Sequence, residues 1–273
     1  MKLIDFDAKL TTYIEENANY DALEGLSEEK MAEVLDEMSF TLYETFMNEP
    51  KSWLSGKRPN EYFDSFSNEE IIDMYLEYFK QFGSPPDLLI SKMVQIGLAI
   101  EKNVFDIINN GNNSENIKMT SMGILEDMGS TLPMDTYIKM QVNRRKHDDI
   151  ADLAMEILKY MPNDDVKNKM IEVFEISNEY GKDAMLDILA KPNCDDMVFK
   201  YVLNTFSIAE DKELYAHYLN NIGDDRALPT LLEAAEFANY VDWLEIRLAI
   251  ESLGGTCPER DFKNDPMFRE LHK

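Results

Sequence analysis

Histidine and cysteine are nearly missing from this chain, with three of the first and two of the second in 273 residues. The two cysteines, Cys194 and Cys257, cannot build a disulfide framework, so a reducing, cytoplasmic setting is the expectation. Neither they nor His147, His217 and His272 show CxxC or HxxxH spacing, which leaves no donor set for a zinc site. Basic residues are scarce too. Against 53 acidic side chains stand 27 basic ones, a formal charge of −26. The excess is not a tail, because residues 1–110 already hold 22 acidic and 9 basic side chains. A surface that negative repels phosphate backbones and disfavours nucleic acid as a partner. Long apolar runs are absent. The richest stretch, Leu88 to Ile100, is broken by Ser91, Lys92 and Gln95, well short of the ~20 residues a bilayer demands. The opening Met1-Lys2-Leu3-Ile4-Asp5 has no apolar core of signal-peptide type. No membrane partner is expected. A nucleophile elbow, a phosphate-binding loop and a dinucleotide fingerprint are likewise missing, so the chain reads as non-enzymatic and without a cofactor.

What is present is helix. Strand-like alternation is rare, whereas apolar residues recur at the 3.6-residue period through most of the chain. Ser27 precedes a stripe of Met31, Val34, Leu35, Met38, Leu42 and Phe46. Ser67-Asn68-Glu69-Glu70 fits a capping box, and the helix it opens is expected to turn Ile71, Ile72, Tyr75, Leu76, Phe79 and Phe82 inward. Gly83-Ser84-Pro85-Pro86 stops that helix and starts the next, since proline suits a first turn but not an interior. Leu88, Leu89, Met93, Ile96 and Ile100 form a further stripe. Most of the 17 methionines fall on such stripes and read as core. The Asn109-Asn110-Gly111-Asn112-Asn113 tract is the strongest loop signal. It divides the chain into an N-terminal helical region, 1–110, and a repeat region, 111–273, that also fits one continuous domain.

The repeat itself is visible in two places. Ile117, Met122, Ile124, Leu125 and Met128 are echoed 33 residues later by Ile150, Met155, Ile157, Leu158 and Met161. Near the C-terminus, Gly223-Asp224-Asp225-Arg226-Ala227-Leu228-Pro229-Thr230-Leu231 is a Gly-Asp turn running into a helix, and Leu253-Gly254 closes a helix about 31 residues after Ile222-Gly223. Together with Glu245-Ile246-Arg247, these residues resemble HEAT repeats of the short bacterial type, most clearly over 213–255. The resemblance implies an all-α fold, an α–α superhelix (solenoid) of stacked antiparallel helix hairpins, and a scaffold or adaptor role. It marks Gly223, Asp224, Arg226, Pro229, Arg247 and Gly254 as structural repeat positions. Arg247 is expected to reach Asp224 or Asp225 of the preceding turn, because a buried arginine needs such a partner. No catalytic residue is implied.

Local chemistry is thin. His147-Asp148 lacks the upstream histidines that a metal phosphohydrolase requires. The pairs Asp148/Asp149, Asp164/Asp165, Asp195/Asp196 and Asp224/Asp225 sit at helix starts, where carboxylates cap amides and oppose the dipole. Cys194 lies at a helix N-terminus, which favours a thiolate, beside Asp195 and Asp196, which oppose it. The cluster Arg144-Arg145-Lys146-His147 reads as a solvated inter-helix loop. Two aromatic loops are candidates for binding. Trp53 to Phe63 carries Trp53, Arg58 and Tyr62, residue types that dominate interface hot spots, although its rings also suit packing on the core. Phe237 to Trp243, with Tyr240 and Trp243, joins two repeat helices along an edge where solenoids often bind. The expectation is a protein–protein interaction module with a basic protein partner. Its alternatives are an immunity or inhibitor protein that fills the cleft of a nuclease or DNA-binding protein, and a HEAT-like DNA glycosylase, which the charge opposes.

Overall fold

Helix starts are where local chemistry and fold meet first. Ser67 Oγ accepts from the Glu70 N–H (3.3 Å) while Glu70 Oε2 accepts from the Ser67 N–H (2.8 Å), closing the expected capping box. At the other end Gly83, at φ 88°, supplies the left-handed residue that ends the helix and that a side chain would strain. The computed structural model describes residues 3–23 and 25–272. Among them fifteen α-helices and short 3₁₀ turns carry the chain, and no strand occurs. The fold is all-α, built of helix hairpins packed in series. No described helix is long and apolar enough to cross a membrane.

The chain divides into two compact units, Met1–Pro133 and Met134–Lys273. The asparagine tract does not mark this division. It lies inside the first unit as the turn of a hairpin, where Asn113 Nδ2 donates to the Ile107 carbonyl (2.9 Å). The first unit holds α1 (Phe6–Asn17), α2 (Glu28–Asn48), α3 (Asn68–Phe82), α4 (Asp87–Ile96), α5 (Glu101–Asn109) and α6 (Glu115–Asp127). Its core runs through α3, but on a stripe rotated from the expected one. Ile71, Met74, Tyr75 and Tyr78 are buried, whereas Phe82 is exposed. Hydroxyl partners explain the swap. Tyr75 Oη meets Ser121 Oγ at 2.8 Å, and Tyr78 Oη donates to the Ile4 carbonyl at 2.8 Å, so both rings are buried without an orphaned polar atom. Burial pushes the Tyr75 phenol up to about 12. The α2 stripe departs further, since only Phe46 of the expected residues is buried.

The second unit holds α7 (Met134–Val142), α8 (Asp149–Tyr160), α9 (Asn163–Phe174), α10 (Glu179–Leu189), α11 (Asp196–Ile208), α12 (Glu213–Ile222), α13 (Leu228–Ala235), α14 (Tyr240–Ser252) and α15 (Pro266–Leu271). Hydrogen bonds of one characteristic reach tie it together. Asn178 Nδ2 donates to the Arg144 carbonyl, Tyr215 Oη to Asp183, Tyr218 Oη to Asp187, Arg226 Nη1 to Asp196, and the Lys212 N–H to Asp242. The partners lie 34, 32, 31, 30 and 30 residues apart. Asp183 Oδ1 also accepts from Tyr201 at 2.8 Å. Burial, together with these carboxylate acceptors, raises the phenols of Tyr201, Tyr215 and Tyr218 far above their ordinary value, so they stay protonated donors.

Backbone approaches closely between α7 and α10. Asn178 caps α10 by accepting from the Gly181 N–H (2.9 Å), and its own N–H donates to the Val142 carbonyl (2.9 Å). Gly181 then packs directly on the Gln141 carbonyl. A Cβ there would overlap the carbonyl oxygen and stand 3.1 Å from its carbon. The basic cluster nearby departs from the expected solvated loop. Arg144 is buried, donates to Gln141 Oε1 at 3.0 Å and pairs with Asp152. Only Arg145 of the two arginines is exposed, and it pairs with Asp148.

Candidate functional site

The edge of the second unit where α11 passes to α12 and α13 passes to α14 is built around one carboxylate. Asp242 is buried, and its Oδ1 accepts from the N–H groups of Lys212 (2.8 Å) and Glu213 (3.0 Å), while Oδ2 accepts from Asn239 Nδ2 (2.8 Å). A residue in the first turn of α14 therefore caps the start of α12. The Lys212 ammonium is consumed in the same way. It donates to the carbonyls of Phe206 (2.7 Å) and Ala209 (2.9 Å) at the end of α11 and lies over the Phe206 ring. Beside these ties lies a cleft of about 570 Å³, with Phe206, Ala234 and Ala238 on its walls and Glu210, Glu233 and Phe237 around it.

The cleft is not spent on its own structure. Asp242 and Lys212 are satisfied within the chain, but Glu210 and Glu233 make no hydrogen bond or ion pair through their carboxylates among the described residues. Phe237 stands 82% exposed at the mouth, and Ile208, the last residue of α11, is 84% exposed. Two large apolar side chains in water beside free carboxylates form a surface suited to a cation with an apolar neighbour. The expected edge loop thus supplies Phe237. Sequence reading missed Ile208, Glu210 and Glu233, for which the one available signal was an apolar residue closing α11 just ahead of the acidic turn.

The rings among the other candidates make packing contacts within the chain. Trp243 is buried against the Phe262 ring, 5.0 Å between centroids. Tyr240 is covered by Phe262, Phe268 and His272. In the first unit Tyr62 packs against Phe6, Phe63 and Phe66. Trp53 lies against Phe6 and Phe46, with the Lys9 ammonium 4.6 Å from its ring centre. Arg58 is exposed and pairs with Glu61.

Among the repeat positions, Arg247 departs from expectation. Its Nε donates to Glu251 at 2.6 Å, one helical turn on, and its guanidinium lies over Trp243. The arginine that reaches the turn acids is Arg226, held by Asp224 beside it and by Asp196 at the head of α11. The cause is placement. Arg226 sits inside the turn, while Arg247 is half exposed on α14 and needs no buried partner. Gly223, at φ 72°, ends α12, Gly254 follows α14 at φ 79°, and Pro229 lies in the first turn of α13.

Three of the four helix-start acid pairs supply a cap, whereas α9 starts after Pro162 with no side-chain cap from Asp164 or Asp165. Asp148 accepts from the Ala151 N–H, Asp195 from Met197 and Asp224 from Arg226. Among the described residues no group of three or more His, Cys, Asp or Glu is placed to hold a metal ion. Burial lifts the thiol of Cys194, outweighing the N–H of Phe199, and burial likewise lifts that of Cys257 against the opposing pull of Arg247. Both cysteines are therefore expected to react with a disulfide reagent at neutral pH more slowly than an unstructured cysteine peptide. A burst of either thiol at the peptide's rate would contradict this.

No protein-family model matches the chain, and no curated protein matches it.

Proposed function

We propose that the chain is a non-enzymatic protein–protein interaction module, an acidic adaptor of HEAT-like build that docks a basic protein partner. The observation that carries this reading is the α11–α14 edge, where exposed Phe237 lines a cleft whose Glu210 and Glu233 carboxylates are free, with Ile208 exposed at the end of α11. The bonds reaching back 30 to 34 residues in the second unit support the repeat reading, because each hairpin of a solenoid meets its neighbours in series. The acid excess favours a cationic partner by long-range attraction and makes the encounter sensitive to salt.

The test is comparative. Wild-type chain and a Phe237→Ser/Glu233→Lys variant, both exposed positions and so expected to fold alike, are used to capture proteins from the native host at low and high salt. The reading expects basic proteins on the wild type at low salt, their loss at high salt, and at least tenfold less on the variant. Capture indifferent to both salt and variant would overturn it. If the captured protein is a nuclease whose activity stops on binding, the module is an inhibitor.

A further inference from the structure

Helices α9, α11 and α13 turn into α10, α12 and α14 along one edge of the second unit. Bonds between successive hairpins set these turns side by side. Asp183, near the start of α10, accepts from Tyr215 near the start of α12 (2.9 Å). Asp242, near the start of α14, accepts in the same way from the Lys212 N–H ahead of α12 (2.8 Å). Each turn holds one large apolar side chain out in water. Ile176, Ile208 and Phe237 are 71%, 84% and 82% exposed. A single exposed apolar residue is ordinary, but three at matching places in consecutive hairpins form a row.

Beside each stands an exposed glutamate, Glu175, Glu210 or Glu236. None makes a hydrogen bond or ion pair through its carboxylate among the described residues. The three turns, residues 174–179, 208–213 and 235–240, hold six acidic side chains and one basic, Lys212. Its ammonium is already given to the Phe206 and Ala209 carbonyls. The row ends at the preceding turn, from α7 to α8, where Arg144-Arg145-Lys146 stands in place of an apolar residue and its acid. Between the turns the surface is open. A cleft of about 760 Å³ between α9 and α11 has Phe174, Glu175 and Asn204 on its walls, and the cleft at Glu210 and Phe237 follows it.

Spacing decides the form of the occupant. Stacked helices lie ~8–10 Å apart, so the apolar–acid pairs recur at about that step. A polyproline II chain rises ~3.1 Å per residue with three residues per turn, which returns a side chain to one face every ~9 Å. A β-strand alternates its faces, so its third residue points away. An α-helix needs a groove to lie in, whereas these apolar side chains protrude. A second copy of this edge would set acid against acid.

We infer that this edge docks an extended segment of a partner protein, in the polyproline II form, with a lysine or arginine at every third residue. The cations meet Glu175, Glu210 and Glu236 in turn, and the apolar residues between them pack on Ile176, Ile208 and Phe237. The inference rests on the reading of the chain as an acidic interaction module. It makes the cleft one part of a contact that runs over three turns.

The experiment measures binding of fluorescent peptides to the full chain at low salt. One peptide repeats lysine–proline–leucine. A second, of the same composition, gathers its lysines at one end, and a third is an amphipathic leucine–lysine helix. The first is expected to bind at least tenfold more tightly than either of the others. Glu175→Gln/Ile176→Ser and Glu236→Gln/Phe237→Ser are each expected to weaken it at least fivefold with the melting point unchanged. Glu29→Gln/Glu33→Gln, exposed on α2 in the other unit, is expected to leave it unaltered. Equal binding of the gathered peptide would reduce the effect to plain charge attraction, and equal binding of the helix would replace the extended form. Either result overturns the inference, as does failure of the repeating peptide to bind. Full binding by Glu175→Gln/Ile176→Ser would confine recognition to the cleft and overturn the row while leaving the adaptor reading intact. Conversely, peptide binding as expected with no basic protein captured from the host would overturn the adaptor reading and leave the row standing.

Discussion

Gly181→Ala is expected to unfold the second unit under conditions in which the wild type is stable. The added methyl group would be driven into the Gln141 carbonyl, a backbone atom that cannot swing aside. Relief requires α10 to part from α7. That movement stretches the bonds from the Asn178 N–H to the Val142 carbonyl and from Asn178 Nδ2 to the Arg144 carbonyl. Overpacking of this kind costs about 1–3 kcal/mol, occasionally more, a large share of the stability of an ordinary domain. The internal control is Gly123 in α6, where a new Cβ meets nothing within 4 Å. Gly123→Ala is expected to stabilise by about 0.5–1 kcal/mol through lower unfolded-state freedom and better helix propensity. Urea unfolding of both variants, followed by circular dichroism, decides it. Equal behaviour of the two would show that the α7–α10 approach is looser than described.

Asp242→Ala is the second large effect. The substitution strands the N–H groups of Lys212 and Glu213 at the start of α12 and removes the acceptor of Asn239. Stranded donors and the loss of hydrogen bonds to a charged acceptor together cost about 3 kcal/mol, which for a chain of this size lowers the melting point by roughly 6–12 °C. Asp242→Asn keeps one oxygen to accept from those amides and is expected to cost about 1 kcal/mol. The ordering alanine below asparagine below wild type in a thermal melt is the prediction. An alanine variant that melts with the wild type would remove Asp242 from its capping role. Because Asp242 also lines the cleft, partner capture should fall with stability in this series, whereas Phe237→Ser/Glu233→Lys lowers capture without a shift in melting.

Features that depend on neighbours in sequence were legible. The all-helical fold followed from periodicity, and the Ser67–Glu70 box and the caps at Asp148, Asp195 and Asp224 involve partners two or three residues away. What escaped were choices made by distant partners. Nothing local says that Tyr78 rather than Phe82 enters the core, because the decision rests on the Ile4 carbonyl. Arg144 resembles its exposed neighbour Arg145 in sequence, and only Gln141 and Asp152 bury it. Asp242 stands next to Trp243 in sequence, but its partners lie 29 and 30 residues upstream. The free carboxylates of the cleft were the hardest to foresee, since a glutamate without a partner has the same sequence as one with a partner.

The recurring reach of the second unit's hydrogen bonds also bears on how the chain is made. In Tyr215 to Asp183, Tyr218 to Asp187 and Arg226 to Asp196, a helix or turn reaches back about thirty residues to a helix two elements earlier. During synthesis the earlier partner has left the ribosome before the later one appears, and closing a loop of that size is fast compared with elongation at ~5–20 residues per second. The Lys212–Asp242 cap runs the other way, since α12 receives its buried carboxylate only when α14 emerges. Growth of this unit is thus a zipper with one delayed tooth, and a chain truncated between residues 223 and 240 would carry an α12 whose first amides lack the Asp242 carboxylate.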